Sequence, residues 1–242
     1  MVMARVKKHS KQGNGMSSEV TSCPGSPWMP FENRRRARDE KRDAILRLAV
    51  TMFLEDGYHR TSLTEVAARL NITKPALYNY FRCKDDILAE CYRVGFGVYD
   101  DGMEAVMSGD GNGLERLRGL IRAYAIAITT DFGRCVVRFD DRELPLDIRS
   151  QVRSTKRRID SSFRDTIAQG IADGSIGACD VALTNFVITG ALNGIGGWFS
   201  PDGAKQASDI AEHFAHQLTE SLKPAALQAF KRPDQGKSGA EQ

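Results

Sequence analysis

The chain of 242 residues is long enough for one large or two small domains, and its 41% hydrophobic and 27% charged content is that of a soluble globular protein. Its apolar runs, Ala123 to Ile128 among them, fall far short of the roughly 20 residues that span a membrane, and the N-terminus has lysines without the apolar segment of a secretory signal. A soluble, cytoplasmic protein with no membrane partner is expected. The net charge of +3 conceals an asymmetry, because residues 1–42 hold ten Lys or Arg against four Asp or Glu while the remainder is net acidic.

Residues 1–38 are rich in Gly, Ser, Pro and Lys, lack apolar periodicity and read as a disordered basic arm. The run RRRARDEKR at 34–42 concentrates the positive charge. Polyphosphate attracts such a run, which releases counterions on docking; a merely solvated charge run fits the same composition. Arg34, Arg35, Arg36 and Arg38 are the candidates for minor-groove or backbone contacts.

From Asp39 a helical period begins, with Ile45, Leu48, Ala49, Met52 and Phe53 on one face and EDG at 55–57 ending it. Ser62 with Glu65 three residues on forms a capping box for a second, short helix that buries Val66, Ala67 and Leu70. Asn71 falls where the chain must turn sharply, and Asn tolerates the left-handed conformation. A third helix opens at Thr73, with Pro75 in its first turn, and lasts to about Tyr80. The fourth runs from near Lys84 to about Met107, with Asp85 and Asp86 complementing its dipole. Beyond SGDGNG at 108–113, helices are expected over 114–130, 132–139, 146–173, 180–198 and 205–222, separated by DDRELP, ADGSIG and SPDG. The expected fold is all-α. A helix-turn-helix DNA-binding domain spans 39–86, a larger helical ligand-binding and dimerisation domain spans 87–224, and 225–242 form a disordered tail.

The short third helix carries the functional signal. Leu77 points inward, with Ile72 and Phe81 anchoring the helix ends, which leaves Lys74, Pro75, Tyr78 and Asn79 outward and Tyr80 on the flank. In a major groove Asn pairs bidentately with adenine, Lys reaches guanine acceptors, and Pro75 or Ala76 meets a thymine methyl. Ser62, Tyr78, Tyr80 and Lys84 are placed for phosphates, and Thr61 and Thr73 complete the candidate interface with double-stranded DNA.

The stretch TSLTEVAARLNITKPALYNYFRCKDDIL, residues 61–88, resembles the DNA-binding domain of the TetR family of bacterial transcriptional regulators. The resemblance rests on Thr61-Ser62, Val66-Ala67, Asn71-Ile72-Thr73, Leu77-Tyr78, Tyr80-Phe81 and Lys84-Asp85 taken together. Asn71 stands where the family commonly has Gly, and Cys83 where Ser or Asn usually caps the fourth helix, so that cap should be weaker. The resemblance implies a homodimeric repressor. Its two third helices would enter successive major grooves of a palindrome, and a small molecule in the C-terminal domain would release it.

In TNFVITGALNGIGGWFSPDG at 184–203, Gly190 and Gly194 share one helical face. Glycine inside a helix costs about 1 kcal/mol against Ala, so close approach of another helix is the natural reason, between subunits or within the chain. By the family resemblance the dimer interface lies on 180–198 and 205–222, with Ile210, Phe214 and Leu218 as the apolar stripe of the last helix. Tyr124, Phe132, Phe139, Phe163, Phe186 and Trp198 supply apolar surface for an effector cavity, although each of them also reads as core. The basic segment QVRSTKRRIDSSFRD at 151–165 reads as a solvated face or as the mouth of a cavity for an anionic ligand. The order of LPLDIRSQVRSTKRRID, IADGSI and GALNGIGGWFSPDG is similar to family members that sense acyl-CoA thioesters. That gives an apolar, anionic effector class to test.

Five cysteines without a C-x-x-C pair read as isolated reduced thiols, and His213 with His216 lacks a third ligand for a metal. Nucleophile elbow, P-loop, H-E-x-x-H and dinucleotide fingerprints are absent, so no catalytic residue, cofactor or enzyme activity is expected. The competing reading is an architectural DNA-binder or activator without a small-molecule ligand.

Overall fold

The structure is a computed structural model that describes residues 31–224. It divides the chain into two compact units, Met1–Glu40 and Lys41–Gln242. Of the first, the described part is the opening of helix α1 (Phe31–Glu55), where Arg36 pairs with Glu40 across one helical turn at 3.3 Å. Residues 31–38, expected to be disordered, are therefore helical. Arg, Glu and Ala are good helix formers and the run contains neither Gly nor Pro, so it continues the helix that Asp39 was expected to open. Residues 1–30 and the tail 225–242 lie outside the described part.

In the second unit α1 continues and is followed by α2 (Leu63–Arg69), α3 (Lys74–Tyr78), α4 (Lys84–Met107), α5 (Gly113–Thr129) and α6 (Asp131–Arg138). A single 3-10 turn (Asp141–Glu143) leads to α7 (Leu146–Ala172), α8 (Val181–Trp198) and α9 (Ala207–Glu220). No strand occurs among the described residues. The caps explain the boundaries. Ser62 and Glu65 form the reciprocal capping box before α2, and Asn112 with Glu115 repeats it before α5. Thr73, Thr130 and Asp180 each accept a main-chain N–H at the starts of α3, α6 and α8. Cys83 occupies the cap of α4 and makes no capping bond, as the thiol's poor acceptor strength requires.

Helix α5 is the hub: α4, α6, α7, α8 and α9 all pack on it. Its N-terminus meets α7 closely, since a Cβ on Gly113 would fall 2.2 Å from the Cα of Gly170. Glycine at 113 permits that approach, whereas a Cβ on Gly170 would strike the Ile176 side chain at 2.4 Å. Helix α4 passes without a break through the expected boundary at 86, so the core under α2 and α3 (Phe53, Leu77, Phe81) continues into that between α4 and α5 (Tyr92, Leu117, Ile121).

Candidate nucleic-acid interface and ligand cavity

The turn between α2 and α3 is closed by Ile72 N, which donates to Ala67 O at 3.0 Å, while Asn71 takes the left-handed conformation with φ 54. Thr73 Oγ1 accepts from Ala76 N at 3.3 Å, so its own hydroxyl proton remains for a phosphate. Leu77, with no exposed surface, and Phe81 pin α3 to the core. Five helical residues therefore suffice to present Lys74, Pro75, Tyr78 and Asn79 to solvent, with Ala76 and Tyr80 half-buried on the flanks. Tyr78 is 42% exposed and Lys74 Nζ stands 5.8 Å from its ring centroid, so cation and aromatic form one projecting unit.

Three sequence expectations change here. Thr61 is buried, and its Oγ1 donates to Gly57 O at 3.0 Å and Met52 O at 3.3 Å, so it closes the turn after α1. Lys84 is likewise committed: Nζ donates to Tyr58 O at 2.7 Å and Thr61 O at 3.3 Å and lies 4.2 Å above the Tyr58 ring. Ser62 is exposed, but its hydroxyl donates to Glu65 Oε2 at 2.9 Å within the capping box, whose bonds also hold the Glu65 carboxyl below its ordinary range. The projecting set is thus Thr73, Lys74, Pro75, Tyr78 and Asn79, with Ala76 and Tyr80 on its flanks.

A cavity of about 320 Å³ lies between α4, α5, α6, α7 and α8. Phe96, Ile128, Val136, Val137, Phe139 and Ile159 make its apolar walls. Its polar side is Tyr124, Thr189 and Asn193, with Tyr124 Oη donating to Asn193 Oδ1 at 2.8 Å. Burial pushes the Tyr99 phenol up to about 12 and Tyr124 still higher, so both remain donors at neutral pH. Asp140, Asp141, Lys156 and Asp160 complete the lining. Arg153 grips Asp141 at 3.1 Å and holds its carboxyl below the ordinary carboxylate range.

Of the six aromatic residues expected to line a cavity, only Tyr124 and Phe139 do so. Phe163 is wholly buried behind the wall, with its ring 5.8 Å from that of Tyr124. Phe132 lines a separate recess beside Arg47 and Val94. Phe186 and Trp198, 60% and 56% exposed, face outward from α8, because Asn185, Ile188, Leu192 and Ile195 take that helix's inner side. Much of the basic segment is ion-paired, although Arg157 is exposed. Arg153 and Lys156 pair with Asp141, Arg158 with Asp100 and Arg164 with Asp160. Thr189 and Asn193 were missed. Their signal was a polar i, i+4 repeat, Asn185-Thr189-Asn193, on an otherwise apolar helix.

On the outer side of α8, Leu183, Phe186, Val187, Gly190, Gly194, Gly197 and Trp198 are exposed along one stripe. No atom of the chain lies within 4 Å of a Cβ built on Gly190, Gly194 or Gly197, so packing within the chain does not require these glycines. On α9, Ile210 is buried against the chain's own core, and Phe214 and Leu218 are half-buried on it. Ile210 therefore leaves the set of interface candidates, because α9 turns its apolar stripe toward α5. Phe214 reaches the α8 edge, its ring stacked 6.4 Å from Trp198.

A projecting helix of the helix-turn-helix kind together with a partly open apolar cavity fits a DNA-binding regulator with a ligand-accepting domain. Residues 45–91 match the model of bacterial regulatory proteins of the tetR family, and residues 110–222 match that of the tetracyclin repressor-like C-terminal domain. The chain belongs to the TetR family of helix-turn-helix transcription regulators. It is 27% identical over 183 residues to the HTH-type transcriptional repressor KstR2 of Mycolicibacterium smegmatis, covering 72% of this chain and 86% of that protein. Two solved structures share its fold. The ketosteroid transcriptional regulator KstR2 of Mycobacterium tuberculosis superposes with a TM-score of 0.71 at 22% identity, covering 76% of this chain and 95% of that one. AibR in complex with isovaleryl coenzyme A and operator DNA gives 0.65 at 24%, covering 76% and 98%. Among the described residues no helix is long and apolar enough to cross a membrane.

Proposed function

We propose that the protein is a dimeric repressor whose α3 helices read a palindromic operator and whose cavity takes an apolar small-molecule effector that releases the DNA. The observation that carries this reading is the position of Phe139. Its ring belongs to the cavity wall and also packs 6.4 Å from Phe53 and 6.0 Å from Tyr58, the aromatic pair beneath the loop that leads to α2. Its carbonyl accepts from Tyr92 Oη of α4 at 2.8 Å. A ligand that moves Phe139 therefore acts on both supports of the reader. It shifts the equilibrium only by its differential affinity for the two states.

The dimer reading rests on the exposed α8 stripe. Such a face, with glycines that the chain itself does not need, suits a second copy approaching backbone to backbone. AibR, a protein of the same fold, carries a CoA thioester, which keeps acyl-CoA among the effectors to test. The acyl body would occupy the cavity and the nucleotide would remain outside it.

The test is retention of a palindromic duplex, selected from a random library, in a gel-shift assay. Tyr78→Ala and Asn79→Ala are expected to weaken retention about tenfold or more, since a good side-chain contact to a base is worth roughly 1–3 kcal/mol. Unfolding midpoints should stay unchanged, because both side chains are exposed. Wild-type binding that is equal on random and selected duplexes at physiological salt would sink the specific-reader reading.

A further inference from the structure

We propose that the cavity admits uncharged ligands and excludes carboxylate anions, so that the effector occupies it as a neutral apolar body bearing a hydrogen-bonding carbonyl. This rests on the cavity being the effector site. Helices α6 and α8 contribute no ionisable side chain to the wall, and α4 and α5 contribute only the phenols of Tyr99 and Tyr124. The charged groups come from the α6–α7 connection (Asp140, Asp141) and from α7 (Lys156, Asp160).

Each of these already has a partner. Asp141 holds Arg153 at 3.1 Å and Lys156 Nζ at 3.8 Å. Asp160 accepts from Arg164 Nε at 2.6 Å and from Asn185 Nδ2 at 2.5 Å. Asp140 accepts from Arg142 N at 2.9 Å. Lys156, the cation on the wall, is further engaged 5.5 Å over the Tyr92 ring. A ligand carboxylate would enter beside three carboxylates and meet on the wall one cation, Lys156, already shared between Asp141 and the Tyr92 ring, and a charge so outnumbered is driven toward its neutral form. What the wall offers instead is neutral. Asn193 Oδ1 is taken by Tyr124 Oη, which leaves the Nδ2 hydrogens of Asn193 for a ligand carbonyl.

The probes are methyl octanoate, octanamide and octanoic acid, titrated calorimetrically into the full chain between pH 6.0 and 7.3. An ordinary carboxylic acid is neutral in roughly one molecule in a thousand at pH 7.3. The acid should therefore bind at least about 100-fold more weakly than its ester or amide and gain about tenfold per unit of pH lowered, while the neutral probes stay flat. Asp141→Asn, which releases Arg153 and Lys156, should raise the acid's affinity relative to that of octanamide about tenfold or more at pH 7.3. Asp160→Asn, which removes a second carboxylate from the wall, provides the same test should the first variant fail to fold. Acid binding as tight as the ester at pH 7.3, a flat pH dependence of the acid, or no response of the acid to either variant overturns the proposal. Failure of all three probes to bind overturns it as well, and operator retention would then leave the regulator reading standing. Binding of the neutral probes by a protein that retains no operator would instead sink the regulator reading alone.

Discussion

The Nζ of Lys84 has the main-chain carbonyls of Tyr58, His59 and Thr61 within 3.5 Å and the Tyr58 ring beneath it, while the Tyr58 hydroxyl donates to Asp85 in the next position. This one side chain ties the first turn of α4 to the loop that carries α2. Its charge is spent on carbonyl oxygens of that loop. Lys84→Met should therefore lower stability by about 1–3 kcal/mol, the loss expected when hydrogen bonds from a charged group are removed. A denaturant titration would show this, and the salt dependence of DNA binding should keep the wild-type slope, because no phosphate contact is lost. A slope reduced by about one ion would return Lys84 to the DNA interface. Thr61 follows the same logic. The Thr-Ser pair before α2 divides its labour, with the threonine buried to close a turn and the serine exposed to cap a helix.

Among the elements, α8 has two faces with different employment. Its inner stripe gives the cavity Thr189 and Asn193 and the core Ile188, Leu192 and Ile195. Its outer stripe exposes Leu183, Phe186 and Val187 at 60–65% and three glycines with open space above them. An exposed apolar stripe of this kind is a candidate contact surface. Val187→Glu, at the centre of the stripe, should convert a dimer to a monomer in light scattering and weaken operator retention, while leaving the subunit's helical content unchanged. A wild type that is monomeric at micromolar concentration, or a dimer indifferent to this change, would remove α8 from the interface. From the sequence both stripes read as a single apolar helix. Only the positions of α5, α6 and α7 show which side is spoken for.

For the whole molecule, the junction between α1 and α4 connects folding to pH. Glu90 is held to about 2 by hydrogen bonds from Arg93 and from Arg42, the latter at 2.7 Å, and the Arg42 guanidinium lies 4.8 Å over the Phe81 ring behind the reader. A carboxyl whose folded value lies below its unfolded value of 4.5 contributes stability that is fully present above about pH 4.5 and is lost as the pH falls toward 2. The denaturant midpoint should decline over that window, and Glu90→Gln should make the decline shallower while lowering the midpoint at pH 7. An identical acid profile for the variant would show that this junction does not set the acid limit. The order of the helices and the turn into α3 were readable in advance, whereas the start of α1 at Phe31 was not. Ser62, Asn71, Thr73, Asn112 and Asp180 are local devices whose chemistry acts within three or four residues. The cavity was not readable, because Tyr124 and Phe163 occupy equivalent apolar positions and only their neighbours make one a wall and the other its backing.

By itself the sequence determined the all-helical order, the turn at Asn71, and the projection of Lys74, Tyr78 and Asn79 from a helix too short to hide them. These depend on periodicity and caps, which are short-range. Tertiary structure alone decided that Lys84 and Thr61 face inward, that Phe186 and Trp198 face outward, and that Arg153, Arg158 and Arg164 of α7 are matched to Asp141, Asp100 and Asp160. The reason is physical: a charge or a ring takes its role from the groups that folding brings within a few ångströms of it, and those partners lie tens of residues away along the chain.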